Sequence, residues 1–245
     1  MRFPGVISFS QEITHNMAKQ SKTNKSNVLK EAWSTYYKGD FDAALQLFDQ
    51  VVKKNKDVSA RYGKACTLFR TADHEGAIEQ LNALIKEDAS NPDYYHTRAM
   101  VHGASEDYKR ARKDLEKLTV LEPSNGEAWC DLGGLHLVMG DYKEAAVCFE
   151  RSADADKRCA CAWMGKGLSA LFAREYKKAI DYLDIALKLD KKNGLAIMAR
   201  AESYFAGKKE KEALKDLKQL LAMDSEFKER FLDVHSEELA GNADG

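Results

Sequence analysis

Helix breakers are scarce in this sequence, with three prolines and fifteen glycines among 245 residues. That scarcity favours helix throughout. No apolar run approaches the ~20 residues that a membrane-spanning helix requires, so membrane insertion is not expected. Neither sign of charge is in excess: 38 Lys and Arg stand against 39 Asp and Glu, a net charge of -1. Such a balance supplies no electrostatic footprint for nucleic acid or an anionic membrane, and a partner must be chosen by surface detail. Charged residues nonetheless make up 31% of the chain, enough to solvate extended outer faces.

Chemical motifs are missing as well. No nucleophile elbow, phosphate-binding loop or paired-carboxylate arrangement is present, so neither enzymatic activity nor a cofactor is expected. The five cysteines (Cys66, Cys130, Cys148, Cys159 and Cys161) are odd in number and scattered, which points to a reducing compartment and a cytoplasmic location. Near the start, the apolar patch Phe3 to Phe9 is interrupted by Pro4 and Gly5 and is too short for a signal-peptide core. Arg2, Lys19, Lys22, Lys25 and Lys30 face the lone acid Glu12, a mild transit-peptide bias, and Met17 is an alternative start.

What the sequence does have is a column. Ala44, Ala77, Ala111, Ala145, Ala179 and Ala213 recur with one gap of 33 residues and four of 34. Twelve residues before each stands a small residue: Ala32, Ala65, Ala99, Gly133, Gly167 and Ala201. Four residues after each stands a large apolar one: Phe48, Leu81, Leu115, Phe149, Leu183 and Leu217. Three before come Phe41, His74, Tyr108, Tyr142, Tyr176 and Glu210. Physically, this predicts two short antiparallel helices per unit, with small residues where the backbones approach and a large residue filling the space beside them.

With Trp129, Leu132, Gly133, Gly140-Asp141-Tyr142, Ala145 and Phe149 in its fourth unit and Pro123 closing its third, the chain resembles the tetratricopeptide repeat family. The resemblance implies an all-α, right-handed superhelical solenoid of antiparallel helix pairs. Six repeats are expected at 25–57, 58–91, 92–125, 126–159, 160–193 and 194–227. They follow an N-terminal tail at 1–24 and precede a capping helix and tail at 228–245, where Phe227, Phe231, Leu232 and Val234 form a stripe able to cover the last repeat. Inside the repeats, Gly39, Gly140 and Gly207 are expected to end first helices in the left-handed conformation, with aspartates such as Asp40 and Asp141 capping the second helices.

Function in this family is carried by the groove that the first helices line. Helical spacing places there Trp33, Tyr36 and Tyr37 from the first repeat, Tyr62, Phe69 and Arg70 from the second, and His96 and Met100 from the third. Asp131 and Leu137 follow from the fourth, Met164, Leu171 and Phe172 from the fifth, and Met198, Glu202 and Phe205 from the sixth. About half of the aromatics are expected to be packing residues, with Tyr36, Tyr37, Phe69 and Phe172 left partly exposed. Family members that clamp acidic chaperone tails use Lys, Asn and Arg at positions that here carry Leu29, Trp33, Gly63, Asp93 and Thr97. The resemblance therefore implies a protein partner with an apolar or basic segment, bound by an adaptor or co-chaperone, or else a scaffold subunit with possible self-association.

Two further patterns concern charge and metal. Arg98 with Asp114 and Arg200 with Asp216 occupy facing helices of one repeat, where the fourth repeat has Leu132 and Cys148; structural ion pairs are expected. His96, Cys130, Asp131 and Cys161 share a depth on successive first helices, but their spacing matches no compact zinc motif and no metal is expected. His102 and His136 are expected to be packing histidines, and Cys159-Ala160-Cys161 lacks the spacing of a redox pair.

Overall fold

A computed structural model describes residues 27–223, which form twelve α-helices and no strand. In pairs these are α1 (Asn27–Tyr37) and α2 (Phe41–Asn55), α3 (Val58–Arg70) and α4 (His74–Glu87), and α5 (Pro92–Ala104) and α6 (Tyr108–Leu121). The remaining pairs are α7 (Gly126–Met139) and α8 (Tyr142–Ala155), α9 (Ala160–Phe172) and α10 (Tyr176–Leu189), and α11 (Gly194–Ala206) and α12 (Glu210–Met223). The fold is all-α, of the tandem helix-pair type. The tail expected at 1–24 and the capping stripe Phe227 to Val234 lie outside the described residues.

The columns explain the packing. All six repeat alanines are buried, as are the small and large residues in register with them. A methyl at the crossing lets two backbones approach, and the larger side chain four residues on fills the flank. Between successive pairs the approach is closer still. A Cβ on Gly63 of α3 would strike the Phe48 ring of α2, and one on Gly165 of α9 would strike Phe149 of α8. Aromatic residues at the start of three first helices clip the preceding turn: Tyr95 donates to Ala89 O at 3.2 Å, Trp129 to Pro123 O at 2.9 Å, and Trp163 to Lys157 O at 2.9 Å.

The turns within pairs share one geometry. Five residues before each repeat alanine the backbone is left-handed, at Gly39, Ala72, Glu106, Gly140, Arg174 and Lys208, with φ between 60° and 86°. The expectation for Gly207 is thus corrected: its φ is -84°, and Lys208 takes the left-handed position at 60°. The turn fixes which position must be left-handed, and four of six repeats meet that demand without glycine. Asp40, Asp73 and Asp107 cap the following helix through Ala43, Gly76 and Arg110 N–H groups. Asp141 departs from expectation, making no such cap and instead meeting His136 Nδ1 at 3.3 Å.

The described residues fall into two compact units, one ending at Leu135 and one beginning at His136. The core of unit 1 joins Leu29, Phe48, Leu81, Leu84 and Val101 with the aromatics Trp33, Tyr36, Tyr62 and Tyr94. That of unit 2 is aliphatic, centred on Leu183, Leu187, Ile197, Leu217 and Leu220. No described helix is long and apolar enough to cross a membrane.

Candidate functional site

In unit 1 the first helices lie side by side and point the same way, as the contacts across them require. Tyr62 and Thr97 hydroxyls hydrogen-bond at 2.8 Å and His96 Nε2 pairs with Asp131 Oδ2 at 2.9 Å, the partners in each case 35 residues apart. Trp33 Nε1 donates to Ser59 Oγ, at the start of the next first helix, at 3.3 Å. This face is layered. Its base is Trp33, Tyr36 and Tyr62, all buried. Tyr36 is corrected here: expected at the surface, it is only 5% exposed, wedged edge-on against Trp33, Tyr37 and Phe41. Above the base stands Tyr37, 39% exposed and stacked on Trp33 with centroids 5.9 Å apart. Phe69 is half-buried beside His74, while Arg70 is exposed and lies over the Phe41 ring at 4.6 Å.

The positions a carboxylate clamp would use are closed. Leu29, Trp33 and Thr97 are buried, and Gly63 is pressed against Phe48. Acids take their place: Asp93, Glu127 and Asp131 are partly exposed at the N-terminal ends of α5 and α7. Burial, reinforced by Glu122, pushes the Asp93 carboxyl up, with His96 opposing. Burial alone would depress the His96 imidazole, but the hydrogen bond and charge of Asp131, with Glu127 and Asp93, prevail and raise it. Met100 is half-buried on the same helix. The Cys66 thiol, buried among Tyr62, Asp93 and Thr97, is pushed up to about 12 and stays protonated at neutral pH, which makes it unreactive.

Unit 2 presents a different face. Phe172 and Phe205 are 49% and 44% exposed at the C-terminal ends of α9 and α11, and Phe172 stacks on Tyr142 at 4.8 Å. Glu202 is exposed, Leu137, Leu171 and Met198 are half-buried, and Met164 is buried. Of the sixteen side chains expected in the groove, Trp33, Tyr36, Tyr62 and Met164 are packing residues; all four sit where neighbouring first helices converge.

The ion pairs form as their spacing predicts. Arg98 donates to both Asp114 oxygens at 2.8 and 2.6 Å, and Arg200 to both Asp216 oxygens at 2.7 and 2.6 Å. Each arginine also reaches back to the preceding helix pair, Arg98 to Asn82 at 2.6 Å and Arg200 to Asp184 at 2.7 Å. Lys64 meets Asp49 at 2.7 Å in the same way, and buried Lys166 meets Glu150 with its ammonium over the Trp163 and Tyr182 rings. These rungs between pairs were not anticipated. Their signal is a cation thirteen residues before a repeat alanine and a polar residue five after the previous one. His102 packs 3.9 Å from Asp114, and burial lowers its pKa.

The family model described as "Tetratricopeptide repeat" matches residues 29–92, 96–157, 130–193 and 164–226. The chain belongs to the tetratricopeptide repeat family. Its fold is shared by a tetratricopeptide repeat protein from Parabacteroides merdae, with 15% identity and a TM-score of 0.70 over 80% of this chain and 78% of that one. YrrB, described as a tetratricopeptide protein with an unusual peptide-binding site, is 19% identical with a TM-score of 0.63, covering 78% and 97%. A MamA protein is 20% identical with a TM-score of 0.62, covering 69% and 92%. No curated protein matches the sequence. Tetratricopeptide repeats mediate protein–protein interaction, and that is the function the family assignment gives this chain.

Proposed function

We propose that the chain is a non-catalytic adaptor or co-chaperone that docks an apolar, net-basic protein segment on its first helices. The reading rests on one juxtaposition in unit 1. Tyr37 and Phe69 offer an aromatic edge at the C-terminal ends of α1 and α3, while Asp93, Glu127 and Asp131 supply carboxylates toward the N-terminal ends of α5 and α7. Buried aromatic contact supplies affinity, and the acids select Lys or Arg and repel acidic tails. The exposed Phe172 and Phe205 in unit 2 extend the same preference for apolar side chains. The alternative is a scaffold subunit without a discrete peptide site, favoured by the burial of Trp33, Tyr36 and Tyr62 in packing. Calorimetric titration separates them. Apolar, lysine-bearing peptides should bind with a modest loss between low and physiological salt, and Tyr37→Ala should weaken them by about 1–3 kcal/mol. Micromolar binding of acidic chaperone tails, abolished by high salt, would overturn the reading.

A further inference from the structure

The chemistry required of the docked segment occurs within this chain. Residues 1–26 carry Phe3, Val6, Ile7 and Phe9, together with Arg2, Lys19, Lys22 and Lys25 against the single carboxylate of Glu12. We propose that the inner face of unit 1 is occupied in cis by the chain's own first residues, which thereby compete with any external partner. The proposal rests on the apolar, net-basic preference argued above and names its resident ligand.

Order along the chain agrees with order across the face. Asn27 begins α1, and the first helices of unit 1 run parallel, so the chain enters on the edge where Asp93, His96, Glu127 and Asp131 lie. Lys19 and Lys22, eight and five residues upstream of Asn27, can reach about 17–28 Å from it when extended. That spans two to three helix spacings of about 8–10 Å each, the distance from α1 to α5 and α7. Phe3 to Phe9 then fall farther along the face, toward the opposite edge where Tyr37 and Phe69 stand. Crossing to α5 and returning diagonally along the helices takes about 40 Å, and the seventeen residues between Phe9 and Asn27 reach about 60 Å when extended. Lysines thus meet carboxylates near α5, and one turn back across the face brings the apolar cluster to Phe69 and Tyr37.

The test uses the full-length protein and a fluorescein-labelled peptide of residues 2–26, followed by anisotropy. The triple change Phe3→Ser, Ile7→Ser and Phe9→Ser lies outside the twelve described helices and should leave their circular dichroism unchanged. It should bind the peptide about ten-fold or more tightly than the wild-type chain does, since a tethered competitor acts at an effective concentration near millimolar. Adding Tyr37→Ala or Asp93→Lys to the triple variant should reverse that gain. Equal affinity of both chains for the peptide, or no binding by the triple variant, would overturn the proposal. A scrambled peptide of the same composition that binds both chains equally would also overturn it, while upholding the preference for apolar, basic segments. A wild-type dimer that the triple variant loses would assign the segment to a second copy and refute occupation in cis.

Discussion

Units 1 and 2 are built from the same alanine register and yet present unlike faces. In unit 1 the first helices are stitched by polar contacts, Tyr62 to Thr97 and His96 to Asp131, over a floor of buried rings. In unit 2 the corresponding helices carry Met164, Leu171, Met198 and Phe205, and the strongest polar bonds lie behind the face, at Lys166 and Arg200. The repeat therefore fixes the backbone and leaves the face free to vary. Each unit carries two charged rungs, Lys64 and Arg98 in unit 1 and Lys166 and Arg200 in unit 2, and the difference lies in what accompanies them, aromatic contacts in unit 1 and aliphatic packing in unit 2.

That contrast can be broken most forcefully at the arginines. Arg200→Leu strands Asp216, which is buried, and Asp184; it should cost about 3 kcal/mol in chemical denaturation. Arg98→Leu strands one acid and a neutral amide, so its cost should be smaller. In both repeats, joint replacement by the fourth repeat's Leu and Cys should cost less than the arginine change alone. Additive losses in the double-mutant cycle would show that the pairs do not couple.

Overpacking should come next. Ala145→Leu, Gly63→Ala and Gly165→Ala should each cost about 1–3 kcal/mol, because no space exists beside them. Gly134 in α7 has open space where a Cβ would stand, and Gly134→Ala should instead stabilise by up to about 1 kcal/mol. A loss at Gly134 equal to that at Gly63 would contradict the assigned packing.

Proton linkage sharpens the comparison further, since among the described residues a histidine ties first helices together in unit 1, at His96 with Asp131. His96 has a raised folded-state pKa, so its contribution is full below the unfolded value of about 6.5 and is lost as pH rises through the folded value. Wild type should exceed Asp131→Asn in stability by about 0.5–1 kcal/mol at pH 5.5, with the gap closing toward pH 8. His102, depressed by burial, acts in the opposite direction in both proteins and cancels from the difference. A gap that widens with pH would refute the pairing. An effect of comparable size and opposite sign is expected at the turns, where Ala72→Gly and Arg174→Gly should each stabilise by about 0.5–1 kcal/mol through relief of left-handed backbone.

The fold was legible because alanines at intervals of 33 and 34 residues carry their own spatial meaning: a residue that recurs only where two helices cross must be buried there. Arg98 with Asp114 was legible for the same reason, both positions lying inside one repeat. The rungs from Lys64, Lys166 and Arg200 to the preceding pair were not, because they depend on how far one pair is displaced along the next. Tyr36 was misjudged for a related reason. Spacing places it on the inner side of α1, but only the convergence of α1, α3 and the Phe41 turn decides that it is covered while Tyr37, one residue later, is open.

The rungs have a consequence for how the array comes apart. In a chain of repeats, melting is governed by the free energy of each hairpin and by the coupling between neighbours. Lys64, Arg98, Lys166 and Arg200 each add to a coupling term, so heat or denaturant should remove the linked hairpins together instead of fraying them singly. At the same register the fourth repeat has Leu132, which has no charge to lend and stands three residues before unit 1 ends. That repeat offers buried apolar surface at the register where its neighbours offer charge, so added salt should loosen the coupling at Lys64, Arg98, Lys166 and Arg200 and leave the Leu132 register little changed.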